Sequence, residues 1–259
     1  MKVKKCVIDI NKIIDIAHRA GERILQIYNK ESFDYQLKID NSPLTEADIA
    51  AHNIIVQQLK EITPTIPILS EESSDITWKE RKQWECFWLV DPLDGTKEFI
   101  KKNGEFTVNI ALIYQQDPII GVVYAPVLKE TWVGERGKPA KKIEQDIVRT
   151  IKVKPHKKGE VLKVVGSRSH AGDSLNNFLN KLGKHEIVSI GSSIKLCLVA
   201  EGKAHVYPRL GPTSEWDTAA AHAVVNAAGG EVINSETQTP LKYNTKDSLR
   251  NPYFIVQPG

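Results

Sequence analysis

The sequence predicts a helix-and-sheet (α+β) half followed by an α/β half. Three observations lead there: two amphipathic helical patterns open the chain, a period-two meander follows, and short strands then alternate with helices to the end. A chain of 259 residues lies near the upper limit for one hydrophobic core, which also favours two packed halves. The division is placed at 146, giving halves 1–146 and 147–259.

Apolar residues at Ile10, Ile13, Ile14, Ala17, Ile24, Leu25 and Tyr28 recur three and four apart, so the first element is a helix of about five turns. The second helix enters through Thr45-x-x-Asp48, a capping box with Asp in place of Glu, and Ile49, Ile55, Val56, Leu59 and Ile62 continue its stripe until Pro64 and Pro67. Strands are expected at 66–69 and 86–90, each running into acidic residues, Glu71-Glu72 after the first and Asp91 to Asp94 after the second. Phe106, Val108, Ile110, Leu112 and Tyr114 alternate strictly, and 119–124 with 131–133 extend an antiparallel sheet. Residues 138–160 are the most charged and least patterned, which places the boundary there. Beyond it strands at 161–165, 186–190, 231–233 and 254–257 mix with helical segments at 173–182 and 218–228, and with shorter elements at 194–201 and 204–207.

Composition removes several function classes. Hydrophobic residues at 41%, charged residues at 26% and a mean hydropathy of −0.30 exclude collagen-like, wholly disordered and integral-membrane chains. The 35 Lys and Arg against 32 Asp and Glu leave a net charge of +3, too small to imply nucleic-acid binding by electrostatics alone. Cys6, Cys86 and Cys197 are far apart and form no C-x-x-C pair, so neither a disulfide framework nor a thiolate zinc site is indicated, and a reducing cytoplasm is expected. The basic start is followed by polar interruptions instead of a signal h-region, and 119–127 is far shorter than the roughly 20 residues that cross a bilayer.

Known nucleotide and acyl-transfer motifs are also missing. Gly134 to Lys138 lacks P-loop spacing and reads as a turn, Gly166-Ser-Arg-Ser-His170 lacks the second Gly of a nucleophile elbow, and no G-x-G-x-x-G occurs. What stands out is Asp91-Pro-Leu-Asp94-Gly-Thr96. Two carboxylates three apart flank a φ-locked Pro and precede a permissive Gly. The spacing suits two Mg²⁺ ions roughly 3.5 to 4 Å apart that share a carboxylate, and a helix starting past Gly95 would aim the Gly95 and Thr96 amides at phosphate oxygen. The plainer alternative is an acidic type I turn.

The ordered set Asp48, Glu71-Glu72, Asp91 to Thr96 and Trp216-Asp217-x-Ala-Ala resembles the inositol monophosphatase superfamily of lithium-sensitive, magnesium-dependent phosphatases. Gly104 to Leu112, Gly166 to His170, Gly191-Ser-Ser-Ile-Lys195 and Tyr207 to Thr213 are similar to its 3′(2′),5′-bisphosphate nucleotidase branch, the bacterial CysQ type. The resemblance implies a layered α/β/α/β/α sandwich of the sugar-phosphatase fold with the site between the halves. It implies that Glu71, Asp91 and the Leu93 carbonyl hold a first metal, and that Asp91, Asp94 and Asp217 hold a second. Asp48 would polarise the Thr96 hydroxyl, and Thr96 with Glu71 would orient a metal-activated water. Those four carboxylates carry about −4, so two Mg²⁺ cancel only the protein and a phosphate of up to about −2 calls for a third ion or amide donors.

By the same resemblance, Gly95, Thr96, Ser167, His170, Gly191, Ser192, Ser193, Lys195 and Asp217 line the substrate, with Arg209 as a further contributor. The implied substrate is a small nucleotide bisphosphate, adenosine 3′,5′-bisphosphate, hydrolysed to AMP and phosphate in sulfur assimilation. Inositol monophosphatase or fructose-1,6-bisphosphatase activity is the enzymatic alternative, and a non-catalytic phosphate- or RNA-binding protein the alternative of another class. Nucleic acid is not an expected partner; the location implied is the cytoplasm, with peripheral association at the inner membrane as a variant. Single residues keep plainer readings: Asp48 as a helix cap, Gly191 to Ser193 as an N-cap, Asp217 as a charge at a helix start, Glu72 as solvated, Trp216 as a packing anchor.

Overall fold

The computed structural model describes residues 2–3, 6–31, 35–37, 43–166, 173–180 and 182–259. A short pair, β1 (Lys2–Val3) with β2 (Cys6–Val7), precedes α1 (Ile10–Tyr28), and β3 (Tyr35–Leu37) pairs with β4 (Pro43–Thr45) ahead of α2 (Glu46–Ile62). In α1 the buried stripe is Ile13, Ile16, Ala17, Ala20, Ile24 and Ile27, with Leu25 only half-buried. The Thr45–Asp48 capping box forms as expected. It also rotates the helix: Ala47, Asp48, Ala51, Ile55 and Leu59 face inward, and Ile49, expected in the core, is 40% exposed. Small residues let α2 lie close to α1, and a buried Asp48 fixes the phase.

The central layer is a seven-stranded sheet built from β5 (Ile68–Ser70), β6 (Cys86–Asp94), β7 (Thr107–Tyr114), β8 (Asp117–Ala125), β9 (Glu130–Glu135), β10 (Lys141–Glu144) and β11 (Ile147–Thr150). Its order is β11-β10-β9-β8-β7-β6-β5, and every pair is antiparallel except β5 with β6. The short helices α3 (Trp78–Arg81) and α4 (Thr96–Ile100) flank β6. The hairpin of β10 and β11 occupies the stretch read as unpatterned, and residue 146 lies in its turn. Its signal was hidden because the inward residue of β10 is a lysine. Lys142 is fully buried, with Nζ 2.7 Å from Glu130, 3.3 Å from Glu201 and 4.9 Å from the centre of the Trp132 ring. Gly134, expected in a turn, lies within β9; the turn starts at Arg136.

Beyond the hairpin come β12 (Leu162–Gly166), α5 (Asp173–Asn180), β13 (His185–Ser189), α6 (Ile194–Ala200), β14 (Tyr207–Arg209), α7 (Glu215–Ala227), β15 (Gly230–Asn234) and β16 (Phe254–Pro258). β12 and β13 are parallel, the set β14-β16-β15 is antiparallel, and a bridge from Val164 to Val206 joins the two. Leu175 and Leu179 of α5 cover Val164 and Val206. The layers therefore run α1 and α2, large sheet, α6 and α7, second sheet, α5, which is the expected sandwich.

Both faces of the large sheet are buried over β6 to β9. Trp88, Val90, Val108, Ile110 and Leu112 pack toward α1 and α2, whereas Leu69, Phe87, Leu89, Ala111 and Ile113 pack toward α6 and α7. α7 comes unusually close because Gly121 and Gly134 face it: a Cβ at Gly121 would stand 2.0 Å from the Ala220 carbonyl oxygen, and one at Gly134 2.4 Å from that of Ala223. Among the described residues no helix is long and apolar enough to cross a membrane.

Candidate active site

Strand alternation determines which carboxylates meet. Leu69 lies on the α7 face of β5 and Leu89 on the α7 face of β6, so Glu71 and Asp91, two residues further on, emerge on that same face. The pairing persists to this point, since the Glu71 amide donates to the Val90 carbonyl at 3.1 Å. Asp217 reaches the same space from the first turn of α7, where Ser214 and Asp217 form a capping box and the Ser214 amide donates to Asp217 Oδ2 at 2.9 Å. One carboxylate oxygen each from Glu71, Asp91 and Asp217 lie within 4.8 Å of one another. Three segments far apart in the chain thus supply hard oxygen ligands at one point, a donor set suited to Mg²⁺.

Crowding has an electrostatic consequence. Burial first, then the charges of Glu71, Asp94, Asp217 and Asp48, hold the Asp91 carboxyl well above the usual carboxylate range. Asp217 is pushed up to about 8 by burial, then by Asp94 and Glu71. Such a cluster favours either protons or a cation.

Between Asp91 and Asp94 the register of β6 on β7 shifts, and Leu93 donates its amide to Asp91 Oδ1 at 3.1 Å. The sequence placed this acidic run beyond the strand; the strand continues through it with a bulge. Gly95, at φ 96°, then turns the chain into α4. Thr96 Oγ1 lies 3.2 Å from Asp48 Oδ1 and 3.4 Å from the Leu93 carbonyl oxygen, and can donate to either. Asp48 divides its oxygens: Oδ2 accepts from the Thr45 amide at 2.8 Å and the Thr45 hydroxyl at 2.5 Å, which leaves Oδ1 toward Thr96. Capping and the contact with Thr96 therefore coexist.

Asp94 stands beside the three-carboxylate set, its Oδ2 accepting from Ser192 Oγ at 2.8 Å and from the Ser193 amide at 2.6 Å. Gly191 donates its amide to Glu105 at 2.8 Å, and a Cβ there would lie 2.7 Å from the Glu105 carbonyl oxygen. Ser193 occupies the N-cap position of α6, yet its hydroxyl makes no capping bond and donates to Asn109 Oδ1 at 2.8 Å. A cavity of about 90 Å³ beside Asp94 and Asp217 is lined by Lys195, Tyr207, Arg209 and Thr213 among others. Burial pushes Lys195 down to about 8, and its Nζ lies 6.0 Å from the centre of the Tyr207 ring. Trp216 packs on the core. Ser167 and His170 lie outside the described residues.

Residues to which the sequence alone assigns no individual role also shape the site. Thr107 and Asn109 of β7 pair with Asp94 and Asp91 across the sheet. Their signal was present: Ala111 and Ile113 continue the same strand face, so that face could not be solvent. Further back, Glu215 accepts from the Asn244 amide at 2.8 Å, and buried Arg81 donates to Asn244 Oδ1 at 2.7 Å, fixing the start of α7.

Residues 6–255 match the model of the inositol monophosphatase family. The 3′(2′),5′-bisphosphate nucleotidase CysQ of Salmonella typhimurium is 50% identical over 248 residues, covering 95% of this chain and 98% of that protein. The crystal structure of CysQ from Bacteroides thetaiotaomicron superposes with a TM-score of 0.85 at 44% identity, covering 96% of this chain and 97% of that one. The extragenic suppressor protein suhB of Bartonella henselae gives 0.80 at 26% identity, covering 96% and 93%.

Proposed function

The chain belongs to the inositol monophosphatase family, and from that premise we propose that it is a Mg²⁺-dependent phosphatase that hydrolyses adenosine 3′,5′-bisphosphate to AMP and phosphate in the cytoplasm, serving sulfur assimilation. The observation that carries the reading is the convergence of Glu71, Asp91 and Asp217 oxygens within 4.8 Å, in a chain half identical to a protein named as that nucleotidase.

Glu71, Asp91, Asp94, Asp217 and the Leu93 carbonyl would hold two ions, with a third completing the charge balance. Bound there, Mg²⁺ supplies Lewis acidity, lowering the pKa of water and offsetting phosphate charge. The protein's own part is orientation. Asp48 Oδ1, 3.2 Å from the Thr96 hydroxyl, accepts its hydrogen bond and leaves the Thr96 oxygen to accept from a water. Glu71 accepts the other proton of that water, aligning its lone pair on phosphorus opposite the ribose oxygen. The P–O bond to the ribose breaks as the new P–O bond forms, and the one proton that the attacking water gives up balances the one that the departing ribose oxygen takes to end as a hydroxyl. The Gly95 and Thr96 amides face the transferring phosphate, and Lys195, with Arg209 and the segment of Ser167 and His170, receives the phosphate that is not cleaved.

Phosphate release measured in parallel from adenosine 3′,5′-bisphosphate, its sulfated analogue and myo-inositol phosphate, with Mg²⁺ and with EDTA, tests this reading. The nucleotide is expected to turn over fastest and only with metal. Equal or faster turnover of inositol phosphate, or full activity in EDTA, would overturn it.

A further inference from the structure

Four polar side chains back the carboxylate of Asp94, two from each half of the chain. Thr107 and Asn109 stand on β7; Ser192 and Ser193 enter α6. Ser192 Oγ and the Ser193 amide both donate to Asp94 Oδ2. Ser193 Oγ donates to Asn109 Oδ1, while Thr107 Oγ1 lies 2.5 Å from Ser192 Oγ, 2.9 Å from Ser193 Oγ and 3.1 Å from Asn109 Oδ1. All four residues are buried, Ser192 the most accessible at 8%.

Counting protons orients this network. A carboxylate and an amide oxygen only accept. Ser192 sends its proton to Asp94 and Ser193 sends its proton to Asn109. Thr107 has one proton, for Asn109 or for a serine oxygen. With Asn109 Oδ1 as the acceptor the three hydroxyl protons are consumed inside the network, and Asn109 Nδ2 is left without a partner among the described residues. No hydroxyl proton remains for a ligand. The backbone agrees: Ser192 is held at φ 57°, a left-handed conformation that a non-glycine residue adopts at a cost, and its hydroxyl ends on Asp94.

We propose that Thr107, Asn109, Ser192 and Ser193 form a positioning clamp that holds Asp94 in its cation-binding orientation, and that the two serines act through this carboxylate. The inference rests on the reading of Asp94 as a cation-holding residue. It makes the junction of the halves part of the metal site: a displacement of α6 from β7 would release Asp94.

The test is calorimetric titration of the substrate-free full chain with Mg²⁺ alone, beside steady-state kinetics at saturating Mg²⁺. Thr107→Val removes the hydroxyl at nearly constant volume, and it is expected to weaken Mg²⁺ binding about 10-fold while leaving the nucleotide KM within about twofold. Thr107→Ser is expected to restore wild-type affinity. Ser192→Gly relieves the left-handed backbone, so it should fold, and it is expected to weaken Mg²⁺ binding to a similar degree. Unchanged Mg²⁺ affinity in both Thr107→Val and Ser192→Gly overturns the clamp, whether the nucleotide KM rises or only the melting temperature falls. Failure of the functional reading would be seen separately, as absent phosphate release by the wild-type chain.

Discussion

The acidic and cationic sides of the cleft are built on different supports. Glu71 and Asp91 continue strand faces whose preceding residues, Leu69 and Leu89, are almost completely buried, in a sheet covered on both sides. Lys195 and Arg209 stand instead on the seven-residue helix α6 and the three-residue strand β14, beside a segment outside the described residues. Chemistry that needs oxygens fixed to a fraction of an ångström is placed where neighbouring side chains cannot move. On the proposed function, the rest of the substrate would meet these shorter elements, of which α6 also carries at its entry the Ser192 and Ser193 groups that back Asp94.

The largest test of this division is Asp91→Asn. The substitution keeps the shape and removes the most buried charge of the cluster. Mg²⁺-dependent phosphate release is expected to fall at least about 10³-fold. Above the pH range in which Asp91 keeps its proton, the metal-free protein should melt higher, because Asp94 and Glu71 then lose a charged neighbour that repels them. Retained turnover in a phosphate-release assay would remove Asp91 from the acidic platform.

Next in size is Lys195→Ala. A charged hydrogen bond to the uncleaved phosphate is worth about 1.5–3 kcal/mol, so the KM for adenosine 3′,5′-bisphosphate should rise about 10- to 100-fold. Phosphate release from a monophosphate that lacks the second phosphate should change little. Equal loss on both substrates would place Lys195 on the catalytic side and erase the contrast.

A smaller effect is expected at Gly121→Ala, on the sheet and far from either substrate group. The added Cβ would meet the Ala220 carbonyl, so α7 must retreat. Overpacking of this kind costs about 1–3 kcal/mol, measurable by chemical denaturation. Because α7 carries Asp217, Mg²⁺ affinity should fall with stability; lost stability with unchanged Mg²⁺ affinity would mean that the position of Asp217 does not depend on the approach of α7 to the sheet.

That coupling of packing to chemistry also explains what the sequence disclosed. The β7 alternation, the Thr45–Asp48 cap and the acidic run at Asp91 were readable because each is a local pattern with a local cause. The β10–β11 hairpin was not, since the inward Lys142 is made tolerable only by Glu130 and Glu201 from distant segments. Ser192 and Ser193 were read as substrate contacts from motif likeness. Their hydroxyls point to Asp94 and Asn109, a direction that depends on how the entry of α6 packs against β6 and β7. Gly121 looks like any strand glycine until α7 is laid against it.

The smallest expected effect, and the one that separates the two sides without any mutation, is the pH dependence of the metal-free protein. An unfolded aspartate titrates near about 3.9, whereas in the folded chain Asp91 is held far above that range and Asp217 near about 8. A raised folded pKa means that the native state binds these protons more tightly than the unfolded chain. Their contribution is fully present below the unfolded value and is lost as pH rises through the folded one. The melting temperature without metal should therefore decline by a few degrees between about pH 6 and pH 8.5. Mg²⁺ must displace the same protons, so its affinity should increase over that interval by up to roughly tenfold per pH unit for each proton released. Saturating Mg²⁺ should flatten the decline in melting temperature, because the cation then offsets the repulsion that the protons had relieved. A metal-free melting curve independent of pH across this range would mean that the acidic oxygens are not crowded enough to compete for a cation, and the platform would lose its distinction from the cationic side.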